Sequence, residues 1–184
     1  SLPAIATQGD WSRDGARAVF LTGSGTKTEM WLVNRDGSGL AKVGVLGRYS
    51  APHWSPDGAS VLYSYNNPIS GNTNEIWTVS ADGTLRRKLA DGYDASWSPD
   101  GQRIAFASTP TSSAGGQPAK NAIRIINAQG KNEWSPISTD TASPKFTPLE
   151  WQMSDARVVD APQWSPDGKE VTLRVQNGHG AYVT

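Results

Sequence analysis

The five residues WSPDG occur at Trp54–Gly58, at Trp97–Gly101 and at Trp164–Gly168, and a fourth copy, WSRDG, stands at Trp11–Gly15. The tryptophans that open the copies are separated by 43, 43 and 67 residues. A repeat of about 40–50 residues is the spacing of one four-stranded propeller blade. Each copy also carries the chemistry of a tight hairpin turn. Ser at the first turn position and Asp at the third bond local backbone, Pro presets φ at the second, and Gly accepts the positive φ where the next strand resumes.

The unit around the second copy shows the full pattern. APHW (Ala51–Trp54) reads as a short first strand, and the turn leads into ASVLYSY (Ala59–Tyr65), rich in β-formers. A polar loop precedes EIWTVS (Glu75–Ser80), and ADG (Ala81–Gly83) turns the chain into TLRRKLA, a fourth strand. The other units repeat this order, with second strands at Arg17–Thr22, Arg103–Ser108 and Glu170–Val175 and third strands at Met30–Asn34, Ile123–Asn127 and Ala181–Thr184. Second strands such as RAVFLT and RIAFAS are apolar on both faces, as sheets sandwiched between neighbours are. The motif Trp then acts as a wedge that buries roughly 150–250 Å2 between sheets. The fold class is all-β: a β-propeller built from four-stranded antiparallel blades, with about four blades present as part of a larger ring. Residues 1–184 form one propeller segment, with blades at about 8–50, 51–93, 94–160 and an incomplete 161–184.

Composition agrees. Nineteen Gly, 12 Pro and 8 Trp in 184 residues suit short strands joined by tight turns. Lys plus Arg equals Asp plus Glu at 17 each, so no net charge draws the chain to nucleic acid or to an anionic membrane. The basic run Arg86-Arg87-Lys88 reads as a solvated strand edge rather than an anion site. The absence of cysteine excludes disulfides, thiolate metal sites and a cysteine nucleophile. No run of about 18 apolar residues is present for membrane insertion as a helix.

Three departures from the repeat stand out. Arg13 replaces the turn proline in the first copy, a position where Arg is tolerated. The third unit is longer, chiefly through an insertion loop at 132–160 that carries Trp134, Phe146 and Trp151 amid Pro, Ser and Thr. Long irregular loops often carry binding, so these aromatics form a candidate binding platform, or equally a cover for the top of the propeller. Finally, Pro3–Ala6 stand where a fourth strand belongs, and AYVT ends the sequence as a third strand. The expectation is that Pro3–Ala6 finish a blade that starts elsewhere; closing the ring on the last blade is the alternative.

No residue pattern calls for catalysis, a metal or a cofactor. His53 and His179 are the two histidines, and no nucleophile elbow, phosphate loop or zinc spacing occurs. Asp14, Asp57, Asp100 and Asp167 are accounted for by the turns. So are the other motif residues: Trp11, Trp54, Pro56, Gly58, Trp97, Pro99, Gly101, Trp164, Pro166 and Gly168. The residue before each motif Trp is polar, namely Asp10, His53, Ser96 and Gln163. Period-2 geometry turns these four away from the Trp and toward the central channel. They form a candidate ring for a ligand, an ion or a peptide terminus, although a water-filled channel wants polar walls as well.

The stretch PHWSPDGASVLYSY followed by NEIWTVSADGT resembles the WD-repeat-like β-propeller repeat of TolB-type proteins. The signature of that repeat is this turn, an I-a-F strand and an I-w-x-x-d-x-d-G strand. The resemblance covers nearly the whole chain apart from the insertions after Thr109 and Asn132. It implies a non-catalytic scaffold that binds another protein, a peptide or a ligand in the periplasm or outside the cell. The propeller halves of prolyl-oligopeptidase-type serine peptidases resemble the same repeat, which implies instead a gating propeller whose catalytic triad lies outside this chain. A sugar-active propeller enzyme would need clustered channel carboxylates, and in the ring only Asp10 supplies one.

Overall fold

The computed structural model describes residues 6–67, 71, 73–108, 122–131, 134–138, 158–176 and 181–183. Thirteen strands follow in chain order: β1 (Ala6–Trp11), β2 (Arg17–Thr22), β3 (Thr28–Asn34), β4 (Ala41–Trp54), β5 (Ser60–Asn67), β6 (Thr73–Ser80), β7 (Arg86–Trp97), β8 (Arg103–Ser108), β9 (Ala122–Asn127), β10 (Trp134–Ser138), β11 (Val158–Trp164), β12 (Val171–Gln176) and β13 (Ala181–Val183). The one helical element among the described residues is a 3-10 turn at Gly25–Lys27.

Each strand pairs antiparallel with the next from β1 to β10, and β11, β12 and β13 form a separate sheet. Two long strands each serve two blades. β4 pairs with β3 as far as Gly47 and with β5 from Arg48 onward. β7 pairs with β6 as far as Asp91 and with β8 from Gly92. The result is a β-propeller portion of three four-stranded blades and three described strands of a fourth. APHW is therefore the end of a 14-residue strand rather than a short strand of its own. The outer strand of one blade runs straight on as the inner strand of the next, so no turn residues mark the change. Likewise Trp134–Ser138, within the stretch read as insertion loop, is β10 and pairs with β9.

The turns form as their sequence dictates. In all four copies the Gly N–H donates to the Ser carbonyl at 2.8 or 2.9 Å, so the WSRDG turn holds without its proline. Each Ser hydroxyl donates to the Asp two residues on, at 2.5–2.6 Å. The same carboxylate accepts the N–H of Ala16, Ala59, Gln102 or Lys169. These bonds, the Ser hydroxyl first, hold Asp14, Asp57, Asp100 and Asp167 below the usual carboxylate range. The four glycines have φ between 65° and 70°, where a Cβ would be strained.

Just before the Trp, three inner strands carry a bulge. Ala51 and Pro52 together oppose Tyr63, Asp94 and Ala95 oppose Phe106, and Ala161 and Pro162 oppose Leu173. Ala51 and Asp94 sit at φ 48° and 51°, and the extra residue bends the strand toward its Trp.

Blades pack face to face. Val19, Leu21, Met30, Leu32 and Val43 of blade 1 meet Tyr49, Trp54, Val61, Tyr63, Tyr65 and Val79 of blade 2. Leu62 and Ile76 of blade 2 meet Ala95, Ile104, Phe106 and Ile126 of blade 3. Trp54 packs in the seam between blades 1 and 2 and is 6% exposed, whereas Trp11 is 56% exposed. Trp54 has a sheet in front of it, and none among the described residues lies in front of Trp11.

Candidate functional site

The four polar residues before the motif tryptophans sit on the inner strands, opposite Val19, Leu62, Ala105 and Thr172. That register points Asp10, His53 and Ser96 toward the following blade, and Asp10 and Ser96 reach it. Asp10 Oδ2 accepts the Trp54 N–H at 3.0 Å and lies 3.7 Å from His53 Nδ1, while Asp10 Oδ1 accepts the Trp11 N–H at 2.9 Å. One carboxylate thus links two motif tryptophans. Burial pushes the Asp10 carboxyl up, but the neighbouring His53 ring and the two N–H donors outweigh it and hold the group below its ordinary value. At the other end of the arc the Ser96 hydroxyl donates to the Pro162 carbonyl at 2.6 Å. In return Trp164 Nε1 donates to the Ser96 carbonyl at 3.3 Å. Gln163 is exposed. The structure therefore brings Asp10 and His53 together, with side chains 36% and 49% exposed, and ties Ser96 into the seam between blades 3 and 4.

Of the insertion aromatics, Trp134 lies in β10 with its backbone opposite Ile125. Phe146 and Trp151 lie outside the described residues, as do Pro3–Ile5 and His179.

Two contacts that the sequence reading did not identify hold the seams. Arg17, at the start of β2, lays its guanidinium 4.9 Å from the centre of the Trp54 ring and donates from Nη2 to the Gly58 carbonyl at 2.7 Å. Arg103, at the same place in blade 3, stands 4.6 Å from the Trp164 ring and donates to the Gly168 carbonyl at 2.8 Å. Each cation clamps the Trp and the turn glycine of the next blade. Blade 2 has Ser60 at this position, and Trp97 lacks the clamp. The turn prolines add to two seams, with Pro56 against Gly101 and Pro99 against Gly168, each at 3.5 Å from where a Cβ would stand.

The basic run lies on the outer strand of blade 2, with Arg87 and Lys88 exposed as expected of a strand edge, and each of its side chains also has a partner. Arg86 stacks 5.1 Å from the Trp77 ring and donates from Nε to the Tyr63 hydroxyl at 2.9 Å. Burial pushes that phenol up to about 12, against the pull of Arg86. Arg87 donates to the Ala128 carbonyl at 2.9 Å. Lys88 bridges Glu75 at 2.9 Å and Asp91 at 2.7 Å. Glu75 is 3% exposed and also accepts from Trp77 Nε1 at 2.9 Å and from Asn67 Nδ2 at 3.4 Å. Burial raises its carboxyl, while Lys88, Trp77 and Asn67 together hold it below its ordinary value. The signal was present in NEIWTVS, where a carboxylate shares a strand face with Trp77 and Val79. Among the described residues no group of three or more His, Asp or Glu is placed to hold a metal ion.

With the geometry in view, the chain can be set beside known proteins. No family model matches it. Over 106 residues it is 31% identical to the Tol-Pal system protein TolB of Gluconobacter oxydans, an alignment covering 55% of this chain and 23% of that protein. Over 70 residues it is 39% identical to dipeptidyl-peptidase 5 of Porphyromonas gingivalis, covering 34% of this chain and 10% of that protein. The crystal structure of TolB from Acinetobacter baumannii superposes with a TM-score of 0.58 at 13% sequence identity, over 88% of this chain and 36% of that one. The fold is a β-propeller similar to that of TolB. The aligned segments span less than a quarter of the length of either curated relative.

Proposed function

We propose that this chain is a non-catalytic propeller segment that binds another protein or a peptide in the periplasm, in the manner of a TolB-like scaffold. The observation that carries the reading is how the repeat's polar groups are spent. The motif carboxylates are bound within their own turns, and two clamp arginines are spent on neighbouring blades. Among the polar groups left open on the described inner strands are the half-exposed Asp10–His53 pair and the exposed Gln163. These are groups suited to hydrogen-bonding a peptide segment or terminus at the channel mouth. The sequence kinship with TolB supports this reading and the periplasmic location. Crosslinking of the purified chain in a periplasmic extract tests it, with a His53→Ala, Gln163→Ala chain alongside. A partner held by the first and lost by the second is the expected result, and equal capture by both would overturn the reading.

A second reading is favoured by one observation, the identity with dipeptidyl-peptidase 5. There the segment would be a gating propeller beside a serine peptidase domain. Release of dipeptides by the parent polypeptide, abolished by a serine-reactive phosphonate, would establish it.

A further inference from the structure

The two ends of the arc are chemically unlike. On blade 1, Trp11 pairs across the sheet with Ala18, Ala18 with Val33, and Phe20 with Trp31. These five side chains share one face, and it is the face opposite Val19, Leu21, Met30 and Leu32, which pack on blade 2. Register by register they match Trp54, Val61, Val79, Tyr63 and Trp77, the face that blade 2 presents to blade 1. The match extends to burial only in part: Trp54, Val61, Tyr63 and Val79 are buried, whereas Trp11 is exposed and Ala18, Phe20, Trp31 and Val33 are half-buried.

The last blade ends differently. Where blade 1 puts Arg17 and Val19 toward its neighbour, blade 4 has Glu170 and Thr172, both exposed, and the register position of Leu21 is held by Arg174. A β12 that alternates apolar Val171, Leu173 and Val175 with these polar residues is the pattern of a sheet with one wetted face. Glu170 in the clamp position would also set a carboxylate against the Gly15 carbonyl, two acceptors facing each other.

We propose that the Trp11 face of blade 1 is a docking surface for a further β-blade, and that the chain's own fourth blade is not its occupant. The partner blade presents an aliphatic face and carries an arginine two residues past its turn glycine. Its guanidinium stacks on Trp11 and donates to the Gly15 carbonyl. The argument is continuity with the seams already built. The Arg17–Trp54–Gly58 and Arg103–Trp164–Gly168 clamps have the same geometry, and Trp11 and Gly15 are the receiving half of a third. This inference does not depend on the TolB-like reading of function.

The test adds such a blade to the intact chain by duplicating residues 6–47 in tandem ahead of Ala6. Acrylamide quenching of Trp11, isolated as the difference from a Trp11→Phe chain, is expected to fall at least twofold. Substituting Arg17→Ser in the added copy alone restores most of it. A copy of residues 158–183 added in the same place gives no protection. Trp11 left as accessible as in the unextended chain, or protected equally by either addition, would overturn the proposal. Sedimentation of the unextended chain supplies the second measurement. A monomer, with Trp11→Ser leaving its urea midpoint unchanged, is expected; a dimer that protects Trp11 would assign the face to a second copy of this chain and overturn the proposal.

Discussion

Arg17 and Trp54 lie 37 residues apart in sequence, yet the guanidinium stands 4.9 Å from the centre of the indole and reaches past it to the Gly58 carbonyl. The contact joins the first residue of one blade's second strand to the motif of the next blade. At two seams it gives the motif Trp and Gly a shared role: one offers a π face and the other a carbonyl. The missing clamp at Ser60 is then a natural experiment. Ser60→Arg is expected to stack on Trp97 and to raise stability by about 0.5–1 kcal/mol. Urea unfolding of the variant against the parent chain reads this directly, and no gain would mean that the stack adds nothing beyond the apolar seam.

The same seam depends on close backbone approach. A Cβ on Gly47 would stand 2.2 Å from the Tyr65 ring, in a cluster where Tyr49 and Tyr65 lie 5.1 Å apart. Gly47→Ala forces that cluster to shift and is expected to cost about 1–3 kcal/mol. Thermal unfolding measures the loss, and Tyr65→Leu in the same chain should recover part of it by vacating the space.

Glu75 makes stability pH-dependent. Its folded carboxyl is held below the ordinary value of 4.5, so its contribution is present above that pH and drains away as pH falls through the lower folded value. Glu75→Gln removes the buried one of Lys88's two carboxylate partners and is expected to cost about 1–3 kcal/mol at neutral pH. The gap between parent and variant should narrow as pH falls through that lowered folded value and the parent's carboxyl protonates. Denaturant titrations from pH 3 to pH 7 follow it; a gap that stays constant would show that the charge on Glu75 is not what stabilises the fold.

What could be read from the residues was whatever is local. The Ser–Asp–Gly turn is written in five consecutive letters, and the step between copies gives the blade. The clamp was not legible, because Arg17 meets Trp54 only after two sheets pack, and nothing near Arg17 distinguishes it from a surface arginine. The partners of the run Arg86-Arg87-Lys88 were hidden for the same reason: Tyr63, Trp77 and Glu75 come from other strands and Ala128 from the turn after β9. Nor does a sequence mark the point in β4 where one blade's outer strand becomes the next blade's inner strand, since the backbone pairs on both sides of Gly47 without a break in the strand. The Asp10–His53 pair was half legible. Alternation placed both on the side away from Trp, but only the packing of blade 1 on blade 2 brings them within 3.7 Å.

The central claim is that the repeated motif locks one blade to the next, leaving other groups free for binding. A double-mutant cycle on Arg17→Ala and Trp54→Leu, read by urea unfolding, tests it most directly. The account predicts a coupling of about 0.5–2 kcal/mol between the two sites. Additive losses with no coupling would contradict it, and the motif would then be a turn and nothing more.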